Sequence, residues 1–217
     1  APSVRVALGE EFGSKIGENV EGRMYKSFET VGFDEIMDIT FAADLTVLEE
    51  GTELINRIKT GKNLPMFTSC SPGWVNYIEQ YEPEMLSNLS TAKSPQQMGG
   101  IVAKHHFAYE LGYKIEDIVF VSIMPCIAKK HEAARPEMEY QGIRDVDHVL
   151  TTREYARLLK RMNIDFMHLE DSFPHGRIAR YTGAGIIFGV SGGVTEAALR
   201  TVSEVLGEEQ GTLDFKD

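Results

Sequence analysis

From Ile118 to Met124 the chain is almost continuously apolar, and the run stops at Pro125-Cys126. A strand buried on one face alternates polar and apolar residues; unbroken apolarity is the pattern of a parallel strand covered on both faces. Parallel strands need crossover segments, so the rest of the chain should supply helices between short strands.

It does. Val20, Met24, Phe28 and Val31 recur at helical spacing over residues 17–31, with Gly32 placed to end the helix. Ile36, Met37, Ile39 and Phe41 make Glu35–Phe41 read as a strand, and Leu45, Leu48, Ile55 and Ile58 predict a helix over about 42–60. Leu64–Thr68 reads as a short strand running into Ser69-Cys70-Ser71-Pro72-Gly73-Trp74, and Val146–Leu150 as another. Ser94-Pro95-Gln96-Gln97 and Thr151-Thr152-Arg153-Glu154 both carry capping-box signatures of helix starts. Gly192-Gly193 precedes a last helix with Val194, Leu199, Val202 and Val205, and Asp171–Gly176 is the best loop candidate. This alternation predicts an α/β fold, a mostly parallel sheet with helices on both faces, in a single domain over 1–217. Cys70 and Cys126 each follow a predicted strand at a helix entrance. Ligand sites of such folds gather at that end of the strands, so both are expected on one functional edge.

Composition narrows the function classes. A net charge of -11 with no dense Lys/Arg run disfavours nucleic acid and anionic membrane. No apolar stretch reaches the roughly 18 residues of a membrane span, and no signal peptide is visible. The expected compartment is the cytoplasm, with the periplasm as the other option. Ala1 stands where an initiator Met would, as in a processed or trimmed chain. Two cysteines make neither a disulfide scaffold nor a four-thiolate metal site.

Taken one at a time, the reactive residues are ambiguous. Cys70 beside a Pro-Gly turn and a helix N-terminus is either a thiol of lowered pKa or a small buried residue. Cys126, with Lys129 and Lys130 three and four residues on, suits an anionic cofactor, or is a buried thiol before a solvated basic turn. Glu50 and Glu53 share a helical face with Arg57 a turn beyond; they form either a proton relay or, as such patterns more often do, a solvated acidic face. The adjacent His105 and His106 show no metal-ligand spacing and read as structural. No His is placed by a recognisable motif to make either Cys a hydrolase nucleophile.

Taken together and in order, Thr68-Ser69-Cys70-Ser71-Pro72-Gly73-Trp74, Ala92-Lys93-Ser94-Pro95-Gln96-Gln97 and Met124-Pro125-Cys126-Ile127-Ala128-Lys129-Lys130 are far more specific. They resemble the catalytic domain of FeFe (iron-only) hydrogenases. Ala1-Pro2-Ser3-Val4-Arg5, Asp44-Leu45-Thr46 with Glu49-Glu50-Gly51, and Phe188-Gly189-Val190 with Gly192-Gly193-Val194 extend the match along essentially the whole chain. The resemblance implies an H-cluster, a four-iron four-sulfur (4Fe-4S) cubane joined through a Cys sulfur to a two-iron centre carrying CO and cyanide. It implies anaerobic H2 chemistry with H2 and protons as substrates, and a ferredoxin-type or NAD(P)-linked electron partner. By motif, Cys126 matches a cubane ligand and Cys70 the proton-transfer thiol. Lys129 matches the lysine that holds a cyanide. Ser3, Pro95 and Gln96 match residues around the two-iron centre, with Ala1, Pro2, Met124 and Phe188 in its wall. Glu50, Glu53 and Ser90 match the proton route, with Arg57 at its outer end.

Two departures qualify the resemblance. Ser71 stands where the family usually has a cubane-ligating Cys, and an alkoxide oxygen suits iron–sulfur clusters less well than thiolate. Ser71 is then a weak ligand, or Cys70 takes over, or the cubane is lost. The family's last two cluster cysteines lie in a later glycine-rich motif that these residues do not contain, so a C-terminally incomplete domain is expected, with a second chain supplying the missing cysteines. The competing reading is a hydrogenase-like binding or sensory protein without a full H-cluster and without activity on its own.

Overall fold

The computed structural model describes residues 1–173 and 180–207. In chain order its helices are α1 (Val4–Glu10), α2 (Glu21–Val31), α3 (Ile39–Thr60), α4 (Pro72–Tyr81), α5 (Pro95–Val102), α6 (Ala108–Leu111), α7 (Ala128–Ala134), α8 (Thr152–Arg161), α9 (Gly183–Ile187) and α10 (Gly193–Leu206). Its strands are β1 (Val121–Met124), β2 (Glu139–Tyr140), β3 (Ile143–Arg144) and β4 (His148–Thr151). The mixed α/β class expected from the sequence is what forms. The chain makes two compact units, one of residues 1–39 and 99–180, the other of residues 40–98 and 181 onward. No described helix is long and apolar enough to cross a membrane.

The first unit is built on α1, α2 and α8. Val20, Met24 and Phe28 are all buried, against Val4 and Leu8 of α1 and Tyr155 and Leu159 of α8. Gly32 closes α2 in the left-handed conformation, φ 102°. The Thr151–Glu154 capping box forms as read: the Glu154 N–H donates to Thr151 Oγ1 (3.2 Å) and the Thr151 N–H to Glu154 Oε2 (2.8 Å). β1 and β4 pair in parallel, with Val121 opposite His148 and Met124 opposite Thr151, and α7 and α8 both pack on β4. Among the described residues that parallel sheet has two strands, beside the antiparallel β2–β3 hairpin.

The apolar run that announced the sheet is only partly strand. Val119 is 63% exposed, and along β1 Ser122 and Met124 are buried while Val121 and Ile123 are half-buried. The unbroken apolarity has a different cause from double coverage by helices. Ile118–Met124 lines a cavity of about 570 Å³ within this unit, together with Phe28, Phe33, Ile36 and Phe107. The Ala1 amine is tied to the same strand, donating to the Ile123 carbonyl at 2.9 Å.

The strand expected over Glu35–Phe41 does not form: residues 35–38, in the first unit, are irregular, and α3, nearly all of which belongs to the second unit, starts at Ile39. The buried face of α3 explains why. Thr40, Ala43, Val47, Glu50 and Arg57 fall at spacings of three, four and seven and are all buried, with Ala42 and Thr46 beside them. The helical period therefore runs through small and polar residues, which apolar periodicity does not register. Leu48 and Ile58, expected to face the core, are 53% and 57% exposed. The predicted strand Leu64–Thr68 reduces to one parallel bridge between Phe67 and Leu89. α10 follows Gly192 as read and buries Ala197, Ala198 and Val202. Asp171–Phe173 is irregular, and the rest of that predicted loop lies outside the described residues.

Candidate active site

Two carboxylates on α3 dominate the second unit. The Glu50 side chain is fully buried, and neither of its oxygens has a hydrogen-bond partner. Burial pushes its pKa up to about 7, the Glu53 charge adding to the rise; the Ser69 backbone and the Ser90 hydroxyl lie close enough to oppose it, without completing a hydrogen bond. Glu53 is the opposite case. Its Oε1 receives Arg57 Nε (3.0 Å) and Nη2 (2.6 Å). Its Oε2 receives the Ser90 hydroxyl (2.9 Å), the Thr91 N–H (2.9 Å) and the Thr91 hydroxyl (3.2 Å). Burial works to raise Glu53 as well, but these donors and the guanidinium charge outweigh it and hold the carboxyl below its usual range. The pair is thus split into an acid poised near neutrality and a carboxylate that is ionised at rest, and neither forms a solvated acidic face.

Arg57, expected at the outer end of a route to the surface, is itself buried, at 8% exposure. Beyond Glu53 it donates to the carbonyls of Asn63 (2.9 Å), Asn88 (3.0 Å) and Leu89 (2.6 Å). It ties the end of α3 to two loops and orients Glu53.

The Cys70 segment is held beside the same loop. Phe67 N–H donates to the Asn88 carbonyl (2.8 Å), Ser90 N–H to the Phe67 carbonyl (2.7 Å), and the Ser69 hydroxyl to the Ala92 carbonyl (3.1 Å). Cys70 is half-buried. Ser71 is exposed at the N-cap of α4, where its side chain makes no capping bond. Pro95 is the first residue of α5 and Gln96 is buried. The Thr46 hydroxyl reaches the Lys93 carbonyl at 3.3 Å, just ahead of them. Asp44 accepts from the Thr182 N–H (2.6 Å), the Thr182 hydroxyl (2.7 Å) and the Gly185 N–H (2.7 Å); this fixes α9, whose C-cap is Phe188. The Asp44-Leu45-Thr46 motif is therefore a positioning device.

In the first unit, Met124 ends β1 and is buried in a small core against which Ala1 packs. Pro2 is half-buried, Ser3 is the exposed N-cap of α1, and Cys126 is exposed ahead of α7. The ammonium of the half-buried Lys129 lies 3.0 Å from both carboxylate oxygens of the buried Glu132, one turn along α7. Sequence reasoning missed Glu132 and Thr91, and quoted Asp44 within a motif without giving it a role. Spacing from Lys129 signals Glu132; nothing local signals Thr91, which meets Glu53 across the fold. His105 stacks edge-on against Tyr140, the rings 4.9 Å apart.

Residues 1–217 match the family model for the iron-only hydrogenase large subunit, C-terminal domain. The chain belongs to that family. Its relatives include the NADP-reducing hydrogenase subunit HndD of Solidesulfovibrio fructosivorans, 51% identical over all of this chain and 38% of that protein. Iron hydrogenase 1 of Clostridium pasteurianum is 49% identical over 94% of this chain and 36% of its own length. A solved apo FeFe-hydrogenase, HydA1 from Chlamydomonas reinhardtii, superposes with a TM-score of 0.87 at 38% identity, over all of this chain and 55% of that one. The cytosolic Fe-S cluster assembly factor narfl of Xenopus tropicalis is also similar, 34% identical over the whole chain and 48% of that protein. The chain thus spans about half or less of the length of the proteins it matches.

The side chains here fit the iron-only hydrogenase cofactor only in part. A cubane takes four thiolates, and this chain has two cysteines. Among the described residues no three or more His, Cys, Asp or Glu side chains gather as a metal site. These residues alone do not make a complete ligand set.

Proposed function

We propose that this chain is the proton-handling portion of an FeFe-hydrogenase catalytic domain, working in the reversible oxidation of H2 to protons and electrons. The observation that carries the reading is the division of labour between Glu50 and Glu53. A relay needs one group that exchanges protons near neutral pH and a second carboxylate, ionised at rest, that draws protons through neighbouring hydroxyls and passes them on. A buried Glu50 raised to about 7 and a Glu53 held ionised by Arg57, with Ser90 donating to it, form that combination.

In this reading the H-cluster supplies the iron redox chemistry, and further thiolates come from polypeptide beyond these residues. Cys70 exchanges the proton at the cluster end of the relay. Cys126 is a cubane ligand, with Ser71 at a second ligand position. Lys129, oriented by Glu132, holds a cyanide. Pro95, Gln96, Met124, Phe188 and the Ala1–Ser3 segment wall the two-iron centre. Electrons pass to a ferredoxin-type or NAD(P)-linked partner, in the cytoplasm or periplasm.

The test is iron content and type in the anaerobically purified, matured protein, together with Glu53→Ala. In the protein completed by a polypeptide that supplies the missing thiolates, that variant should keep its cluster and lose turnover by orders of magnitude; unchanged turnover would remove the relay. A second reading, an iron–sulfur binding or assembly protein without H2 chemistry, is favoured by Ser71 and by the similarity to an assembly factor. It requires a matured protein with cubane iron and no two-iron centre.

A further inference from the structure

We propose that the relay opens to solvent through the hydroxyl of Thr91, and that Arg57 positions Glu53 without carrying protons. The proposal rests on the relay reading above and names its outer end.

The two oxygens of Glu53 have separate partners. Oε1 faces only the guanidinium among the hydrogen bonds described, with Nε at 3.0 Å and Nη2 at 2.6 Å. An arginine does not give up a proton in a protein, and this one is buried with its remaining donors on the carbonyls of Asn63, Asn88 and Leu89. A proton therefore cannot leave by Oε1. Oε2 receives two hydroxyls, Ser90 at 2.9 Å and Thr91 at 3.2 Å. Ser90 is buried and lies toward Glu50, whereas Thr91 is exposed. One oxygen thus joins an inner hydroxyl to an outer one. The Thr91 N–H, 2.9 Å from the same oxygen, already anchors the loop, so the hydroxyl is not needed for anchoring.

The steps balance without a co-reactant. Inward, Thr91 passes its hydroxyl proton to Glu53 Oε2 while its oxygen takes a proton from a surface water. Glu53 then gives the proton to the Ser90 oxygen as the Ser90 proton moves on toward Glu50. Outward, each transfer reverses.

Thr91→Val removes the hydroxyl, keeps the side-chain shape and leaves the backbone N–H; Thr91→Ser restores the hydroxyl. In the metal-free chain, NMR titration of 13C-labelled glutamate should show the Glu53 pKa raised in Thr91→Val and near wild type in Thr91→Ser. No movement in Thr91→Val would show that the hydroxyl does not engage Glu53 and would overturn the proposal. In the matured protein, completed with a chain supplying the missing thiolates, Thr91→Val should slow H2 turnover on the order of tenfold or more. It should also alter the pH profile and enlarge the D2O isotope effect, with Thr91→Ser recovering both. Glu53→Gln is the control. If Glu53→Gln is slow and Thr91→Val keeps wild-type turnover and pH profile, the Thr91 route is overturned and the relay stands. If Glu53→Gln runs at the wild-type rate, the relay and this route fall together.

Discussion

Glu50 is buried without a hydrogen bond to either oxygen, a placement that disfavours its charged form and lowers the stability of the fold wherever that form is required. An acid whose pKa is raised on folding binds more protons in the native state than in the unfolded chain. Between the ordinary value of 4.5 and about 7, stability therefore falls as pH rises, and above about 7 the loss is complete. The difference in pKa corresponds to an order-of-magnitude loss of about 3 kcal/mol. Glu50→Gln, which cannot ionise, should match the wild type near pH 4 and exceed it by up to that amount at pH 8. Denaturant unfolding across that range checks it, and parallel pH curves for the two proteins would mean Glu50 does not titrate as described. A group that destabilises its own fold is characteristic of a working site, not of packing. Arg57 acts in the other direction. Lys in its place cannot bridge Glu53 and three carbonyls in a fork, so Arg57→Lys should cost roughly 2–4 kcal/mol in the same assay, with faster hydrogen exchange at the Ser90 and Leu89 amides.

At the scale of elements, α5 shows where local preference and packing disagree. Gly100 lies inside this helix, where alanine is intrinsically better by about 1 kcal/mol. A Cβ at Gly100 would sit 2.0 Å from the Asp145 carbonyl oxygen, backbone that cannot swing aside. Gly100→Ala should therefore destabilise, by about 3 kcal/mol or more, and a melting temperature at or above wild type would contradict the close approach. The same tension governed what the sequence made legible. Helices α2 and α8 were readable because their signals are local: a stripe of Val20, Met24 and Phe28, a terminal Gly32, and a Thr151–Glu154 box that closes within one turn. α3 was readable as a helix but not by face, because its buried stripe consists of Thr40, Ala43, Val47, Glu50 and Arg57 while Leu48 and Ile58 look outward. The Ile118–Met124 run gave the strand, but its length was overstated, since apolarity also serves the wall of a cavity. Likewise Glu50, Glu53, Ser90 and Arg57 could be named from motifs, whereas Thr91 could not. It meets Glu53 across 38 residues of chain, and only the fold brings them together.

At the scale of the whole molecule the decisive quantity is ligand count. The resemblance implies a six-iron cofactor, yet two cysteines are available, Cys126 exposed and Cys70 half-buried, and Ser71 offers a hydroxyl where thiolate is usual. Iron–sulfur cubanes select sulfur donors, and with Cys70 given to proton transfer and Ser71 in place of a cysteine these residues supply one of four thiolates, which leaves iron positions open to water and loss. Binding free energy that a full ligand set would contribute to folding is correspondingly absent. This chain, anaerobically matured by itself, should hold far less than a full complement of iron and evolve no H2. Adding a polypeptide that supplies two further cysteines should raise bound iron and stabilise the chain against denaturant, because a ligand that binds only the folded state shifts the equilibrium by mass action. Ser71→Cys should raise iron loading again in that complex, and only weakly in its absence, since one extra thiolate cannot complete the set. The measurements are iron and sulfide per chain, with the electronic spectrum of the cubane, for the four combinations of Ser71 or Cys at that position with and without the added polypeptide. Full loading of the unmodified chain alone would mean that oxygen or nitrogen donors among these residues replace thiolates. Iron that is insensitive to Ser71→Cys in the complex would remove Ser71 from the ligand positions and leave it as the N-cap of α4.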